Sequence, residues 1–233
     1  MEKLSVQETK EKIVEIVKRE YRLGMVNMFE GNVSARVGDR IFVTPSQVAK
    51  EEMTPEMLIE TDLDGNVIHR PEGFVESTEA KMHYEVYRLR PDVRAVVHNH
   101  SPYATAFAMD NLPIETYALT EMNQIFGTIP VVPYGTPGTE RIYAGFEELI
   151  SNRYALLLEN HGLITFGATL ELAFSYAEGA EKSARCIFLA KTLGKTADLP
   201  EEEIAALREF GNKKRDREIA AAIEFFKSGG DML

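Results

Sequence analysis

Residues 93–100 read Val93-Arg94-Ala95-Val96-Val97-His98-Asn99-His100. The run is apolar and rich in β-branched side chains, the pattern of a buried strand. Alternate residues of a strand face the same way, so His98 and His100 present two imidazoles side by side at its C-terminal end. On the near side, Ser77 to Arg90 is predicted as a helix, with Ser77 or Thr78 as its cap and Pro91 just past its end. On the far side, Pro102 opens a helix through Met109.

Further out, Thr9 to Leu23 carries Ile13, Val14, Ile16, Val17 and Tyr21 at the spacing of an amphipathic helix, and Gly24 suits its end. Val33 to Val37 and Arg40 to Thr44 read as strands joined at Gly38-Asp39, and Leu58 to Ile68 as a hairpin turning at Asp64-Gly65. Beyond the centre come a strand at Ile129 to Val132 and a helix at Thr139 to Ile150. Two strands, Tyr154 to Glu159 and Gly162 to Phe166, flank Asn160-His161-Gly162. Thr169 caps a long helix to Thr192, and helical periodicity returns at Ile204 to Phe210 and Ile219 to Phe226. The charged run between them, Lys213 to Glu218, is predicted as a solvated face. Strands grouped in hairpins with helices between them predict a three-layer α/β/α sandwich around a largely antiparallel sheet. One domain is expected across residues 1–233, with a helical tail from about residue 196. No GxGxxG stands in the right context and there is no P-loop, which argues against a Rossmann or nucleoside-triphosphate fold.

The net charge of −11 argues against nucleic acid and anionic membranes as partners, although local groups can still bind a small anion. No apolar run is long enough to span a bilayer, and Met1 to Lys12 has no hydrophobic stretch of a signal peptide. The single cysteine, Cys186, excludes an internal disulfide, fits a reducing cytoplasm, and is expected as an inert thiol in the core.

Five histidines carry most of the chemical signal. Imidazole is a common ligand for Zn²⁺ and similar ions, and a third imidazole at a strand end, His161, is what a tripod site needs. Glu79 adds a carboxylate in the first turn of the predicted helix, where Ser77 and Thr78 offer hydroxyls and free N–H groups suited to phosphate. Each residue alone has a plainer explanation. An HxH pair can be two exposed histidines, His161 a turn residue bonding its own backbone, and Glu79 an acid favoured by the helix dipole. His83 shares a helix face with Glu79 and is expected to pack beneath the site, while His69 beside Arg70 reads as exposed.

Taken in order, Gly31-Asn32-Val33-Ser34, Thr44-Pro45-Ser46, Ser77-Thr78-Glu79, His98-Asn99-His100 and Asn160-His161-Gly162 resemble the motif set of the class II aldolase/adducin family over residues 5–195. Within that family the chain looks like the aldolases of the L-fuculose 1-phosphate type. The resemblance implies a divalent metal, Zn²⁺ with Mn²⁺ or Co²⁺ as alternatives, held by Glu79, His98, His100 and His161. It implies a phosphate pocket from Asn32, Ser46, Gln47, Ser77 and Thr78, and a cytoplasmic homotetramer with sites between subunits. The implied reaction splits a short-chain ketose phosphate into dihydroxyacetone phosphate and a small aldehyde. Glu79 would protonate the enediolate carbon, and Tyr117 of a neighbouring subunit would take the hydroxyl proton. Tyr117 also reads as a buried packing residue.

Two departures stand out. Gln47 occupies a position where the family usually has Gly, and Glu76-Ser77-Thr78 stands where Pro-Ser-Ser is usual. A Glu at position 79 favours an aldolase over a ribulose-5-phosphate 4-epimerase, which usually has Asp. A methylthioribulose-1-phosphate dehydratase remains an alternative, and a non-catalytic adducin-like binding domain is disfavoured by the complete ligand set.

Overall fold

The computed structural model describes residues 4–194 and 196–229. The first three residues of the charged N-terminal stretch and the last four of the tail lie outside them. The chain opens on α1 (Val6–Arg22), begun by a reciprocal cap. The Ser5 hydroxyl accepts from the Glu8 N–H, and the Glu8 carboxylate accepts from the Ser5 N–H. The strands β1 (Asn32–Val37), β2 (Arg40–Val43), β3 (Ile59–Asp62) and β4 (Val67–His69) form a meander. Then come α2 (Ala80–Leu89), β5 (Ala95–Asn99), α3 (Pro102–Met109), β6 (Val131–Val132), the single-turn α4 (Phe146–Leu149), β7 (Ala155–Leu158), β8 (Gly162–Gly167), α5 (Leu170–Leu193) and α6 (Glu201–Lys227).

The eight strands form one sheet in the order β4-β3-β2-β1-β5-β8-β7-β6. Every pairing is antiparallel except β6 with β7. β5 lies inside the sheet, between β1 and β8, and all five of its residues are buried.

Strand alternation sorts side chains to two faces. Ala95 and Val97 of β5 join Val33 and Ala35 in a core packed by α1, α3 and α5. Val96 joins Ile164 and Phe166 in a second core packed by Met82, Val86 and Tyr87 of α2 and Phe146 of α4. The result is the three-layer α/β/α sandwich with a mostly antiparallel sheet. The same alternation sends His98 to the α2 side and Asn99 to the α1 side. No helix among the described residues is long and apolar enough to cross a membrane.

Several expectations need correction. α2 begins at Ala80, so Glu79 is its N-terminal boundary residue and not part of the first turn, and no side chain caps the helix. The predicted helix at 139–150 is broken at Gly145 into a tight 3₁₀ turn (Glu140–Tyr143) and α4. A side chain at Gly145 would press on Val132 and Pro133. The two tail segments are one continuous helix, α6. Its charged run is not wholly solvated, because Arg215 is buried and donates to the Ile125 carbonyl at 2.6 Å and to Asn152 Oδ1 at 3.1 Å. Cys186 is exposed on α5, since its neighbours Ala184 and Ile187 take the inward face.

Candidate metal centre

The structure brings Glu79, His98, His100 and His161 together, with their ligand atoms all within 4.8 Å of one another. His98 comes from the end of β5 and His100 from just past it, two residues on, and their Nε2 atoms are 3.1 Å from each other. His161 comes from the tight turn between β7 and β8, where Asn160 takes a left-handed conformation (φ 55°) that Asn tolerates well. His161 Nε2 lies 2.9 Å from Glu79 Oε1, and His98 Nε2 lies 3.5 Å from Glu79 Oε2.

Gly162 is dictated by this packing. A Cβ there would lie 2.5 Å from the Asn99 carbonyl oxygen and 2.9 Å from the His100 ring. Only glycine lets the turn carrying His161 close against the strand carrying the other two imidazoles.

The donor set fits a divalent ion. Tetrahedral bonds of about 2.0–2.1 Å place ligand atoms about 3.3 Å apart. The separations of 2.9, 3.1 and 3.5 Å bracket that value. His98 Nδ1 lies 2.9 Å from the Leu163 carbonyl oxygen, which can only accept, so Nδ1 carries the proton. The Nε2 of the neutral ring then keeps its lone pair toward the other ligands, the arrangement seen around metal-bound imidazoles. Burial pushes His98 well below its ordinary value, with the Glu79 carboxylate offsetting only part of that. Burial and the charge of His161 likewise lower His100. Burial pushes the Glu79 carboxyl up, but the His161 hydrogen bond and the nearness of the His98, His161 and His100 rings outweigh it and hold it below the usual carboxylate range.

Asn32 sits opposite His98 in the β1–β5 ladder and so points to the same face. Its amide donates to Glu79 Oε2 at 2.9 Å and to Ser77 Oγ at 3.2 Å. Ser77 Oγ also accepts from the Glu79 N–H, which leaves the Ser77 hydroxyl proton free to donate. Ser46 is brought close by its N–H bond to the Val75 carbonyl and by the Pro45–Glu76 bridge. Gln47 is exposed and has a φ of 56°, in the left-handed region that glycine adopts more readily. Thr78 is also exposed. Glu76 accepts a hydrogen bond from the Tyr84 hydroxyl of α2.

His83 is fully buried outside the ligand cluster, with Nδ1 2.8 Å from Ser34 Oγ, and burial holds it down to about 3. His69 is exposed at the sheet edge. Tyr117 is 42% exposed, which overturns the buried-packing alternative. The Arg208 guanidinium lies over its ring at 4.8 Å, and among the described residues its phenol makes no hydrogen bond to the four ligands.

Two neighbouring residues escaped the sequence reading. Glu20 is buried at the end of α1 and accepts from the Asn99 amide at 2.8 Å. An acid in register with Ile13, Ile16 and Val17 on an apolar helix face was the available signal. Lys50 is buried after the Thr44-Pro45-Ser46 turn, and nothing in its local pattern marks it.

Comparison with known proteins decides the family. Residues 11–188 match the model described as "Class II Aldolase and Adducin N-terminal domain". The chain belongs to the class II aldolase/adducin family. An L-fuculose phosphate aldolase of Escherichia coli O6:H1 is 35% identical over 90% of this chain and 89% of its own. A 5-deoxy-D-ribulose 1-phosphate aldolase of Bacillus thuringiensis serovar kurstaki is 35% identical over 87% of this chain and 94% of its own. Among solved structures, an L-fuculose 1-phosphate aldolase superposes with a TM-score of 0.79 at 27% identity, covering 89% of this chain and 97% of that one. This class II aldolase is therefore an enzyme of the lyase type, and its family works with a divalent metal that the His/Glu cluster could hold.

Proposed function

We propose that this class II aldolase cleaves a short-chain ketose 1-phosphate into dihydroxyacetone phosphate and a small aldehyde. The observation that carries the reading is the cluster of three imidazoles with a carboxylate, Glu79, held both by His161 and by Asn32. The two curated relatives named above are aldolases acting on phosphorylated ketoses, which supports this substrate class.

The reaction breaks one C–C bond. The hydroxyl on the departing half loses its proton and becomes the aldehyde carbonyl, and the bonding pair stays with the half that becomes dihydroxyacetone phosphate. A divalent ion on Glu79, His98, His100 and His161 supplies Lewis acidity toward the oxygens of that half. Zn²⁺ suits three imidazoles and a carboxylate, and Mn²⁺ and Co²⁺ are the alternatives. Glu79 is assigned the proton that goes to the carbon that gained the pair: its carboxylate, aimed by Asn32, would regain basicity when no longer serving as a ligand, take up a proton and hand it on. The phosphate is assigned to Asn32, Ser46, Gln47, Ser77 and Thr78, with the free Ser77 hydroxyl proton as one donor. Tyr117 is assigned the hydroxyl proton. Its exposure suits a role at a neighbouring protomer's site, and the assembly assigned with it is a cytoplasmic homotetramer with shared sites.

The test is to incubate metal-loaded protein with dihydroxyacetone phosphate and a panel of short aldehydes, including lactaldehyde and glycolaldehyde. A new ketose 1-phosphate whose formation stops on adding chelator is expected. Protein that holds stoichiometric metal yet makes none overturns the reading and redirects it to ribulose 5-phosphate epimerisation or to dehydration.

A further inference from the structure

Two ionisable side chains next to the metal centre take no part in the proposed chemistry. Glu20 of α1 is 1% exposed, and Lys50 is the only buried lysine among the described residues. Both lie on the side of the sheet opposite Glu79 or at its margin, where α1 packs against β1 and against the turn at Lys50–Glu52.

The link between Glu20 and the metal ligands is one residue long. Asn99 stands between His98 and His100, fully buried, with its side chain on the α1 face. Its amide donates to Glu20 Oε1 at 2.8 Å, and its Oδ1 accepts from the Ser101 N–H at 3.3 Å. The backbone here is also held by His100 N donating to the Met25 carbonyl at 3.1 Å, just past the end of α1. β5 ends at Asn99, so His100 lies beyond the sheet ladder and lacks the strand pairing that fixes His98. A side-chain bracket at Asn99 therefore acts with the His100 bond to Met25 at the point where the chain leaves the sheet between the two imidazoles. Burial pushes the Lys50 ammonium down, and its neighbours Glu20 and Glu79 oppose that only in part.

We infer that Glu20 is a positioning residue of the metal centre, fixing through Asn99 the relative placement of the His98 and His100 imidazoles. The inference rests on the reading of the four side chains as a metal site, and not on which sugar phosphate is cleaved. An apolar residue would satisfy the core at this point of α1. A buried carboxyl group there is costly to desolvate and is explained by the hydrogen bond it provides. Groups that orient metal ligands at one remove commonly change metal affinity by about 10–100-fold when removed.

The test uses the full-length chain with Co²⁺ as the probe, reading affinity by competition with a chelator and ligand geometry by the visible absorption of the bound ion. Glu20→Gln keeps an acceptor for Asn99 and is expected to match the parent in both readouts. Glu20→Ser, short enough for water to fill the space, is expected to bind Co²⁺ at least tenfold more weakly with an altered spectrum. Asn99→Ser breaks the same bond from the other end and should reproduce both changes, which covers the case in which Glu20→Ser fails to fold. A Glu20→Ser or Asn99→Ser protein with parental affinity and spectrum, whatever its melting temperature, overturns the inference alone. A parent chain that binds no Co²⁺ overturns the metal-centre reading and this inference with it.

Discussion

Asn32 faces His98 across the β1–β5 ladder, and its amide reaches past the imidazole to Glu79 Oε2 at 2.9 Å. The bond orients the one ligand that is also assigned a proton. Replacing Asn32 by Ala leaves the cluster in place but frees the carboxylate to rotate. The turnover number is expected to fall about 10–100-fold, with a smaller loss of metal affinity. Asn32→Asp, nearly the same size, sets a second negative charge against Glu79 and should cost more turnover than Ala. Steady-state kinetics with metal analysis decides the matter, and an Asn32→Ala enzyme of near-parental turnover would remove Asn32 from the site.

The contact of Gly162 with β5 gives a sharper case. A methyl group at 162 would sit 2.5 Å from the Asn99 carbonyl oxygen, a backbone atom that cannot rotate away. The turn must lift, carrying His161 from Glu79. Gly162→Ala is expected to keep its far-ultraviolet circular dichroism while losing stoichiometric metal and at least 99% of activity, because about 1 Å of misplacement in a site can cost about 10²-fold. Full metal occupancy in that variant would contradict the geometry.

The centre of this fold was legible because its signals are local and periodic. The β-branched run at 93–100 marks β5, and a period of two places His98 and His100 on one face. Asp64-Gly65 marks the β3–β4 hairpin for the same reason. The capping box at Ser5 was as local as these and puts the start of α1 three residues before Thr9. What the sequence left unreadable depends on distant partners. The bond of Asn32 to Glu79 spans 47 positions and follows from the β1–β5 register. Arg215 sits in a run of charges that looks solvated, and is buried only because the 124–125 carbonyls lie beneath α6. Glu79 looked like a first-turn acid, but the helix begins after it, at Ala80, and its carboxylate is held by Asn32 and His161.

Gln47 carries backbone strain that glycine would not. Its φ of 56° lies where a side chain costs about 1–2 kcal/mol. Part of that gain is lost because glycine also frees the unfolded chain. Gln47→Gly is therefore expected to raise stability by about 0.5–1 kcal/mol, a rise of a few degrees in melting temperature. Its effect on the Michaelis constant then tells whether the exposed amide helps bind the phosphate. A raised constant with unchanged turnover assigns the side chain to binding, and an unchanged one removes Gln47 from the pocket.

Glu20 ties stability to pH. Burial is the main cause that pushes its carboxyl up from 4.5 to about 8, with the Asn99 hydrogen bond and the charge of Lys50 opposing it. Between those two values the folded chain keeps a proton that the unfolded chain has released. The contribution is fully present below pH 4.5 and is lost as pH rises through about 8. The slope approaches about 1.4 kcal/mol per pH unit inside the window. Other groups titrate in the same range, so the quantity to follow is the difference between the parent chain and Glu20→Gln, both stripped of metal. Denaturant unfolding at steps from pH 5 to 8.5 should show the parent losing stability relative to the glutamine variant as pH rises. A difference that stays flat across that range would mean that Glu20 is ionised in the folded protein throughout.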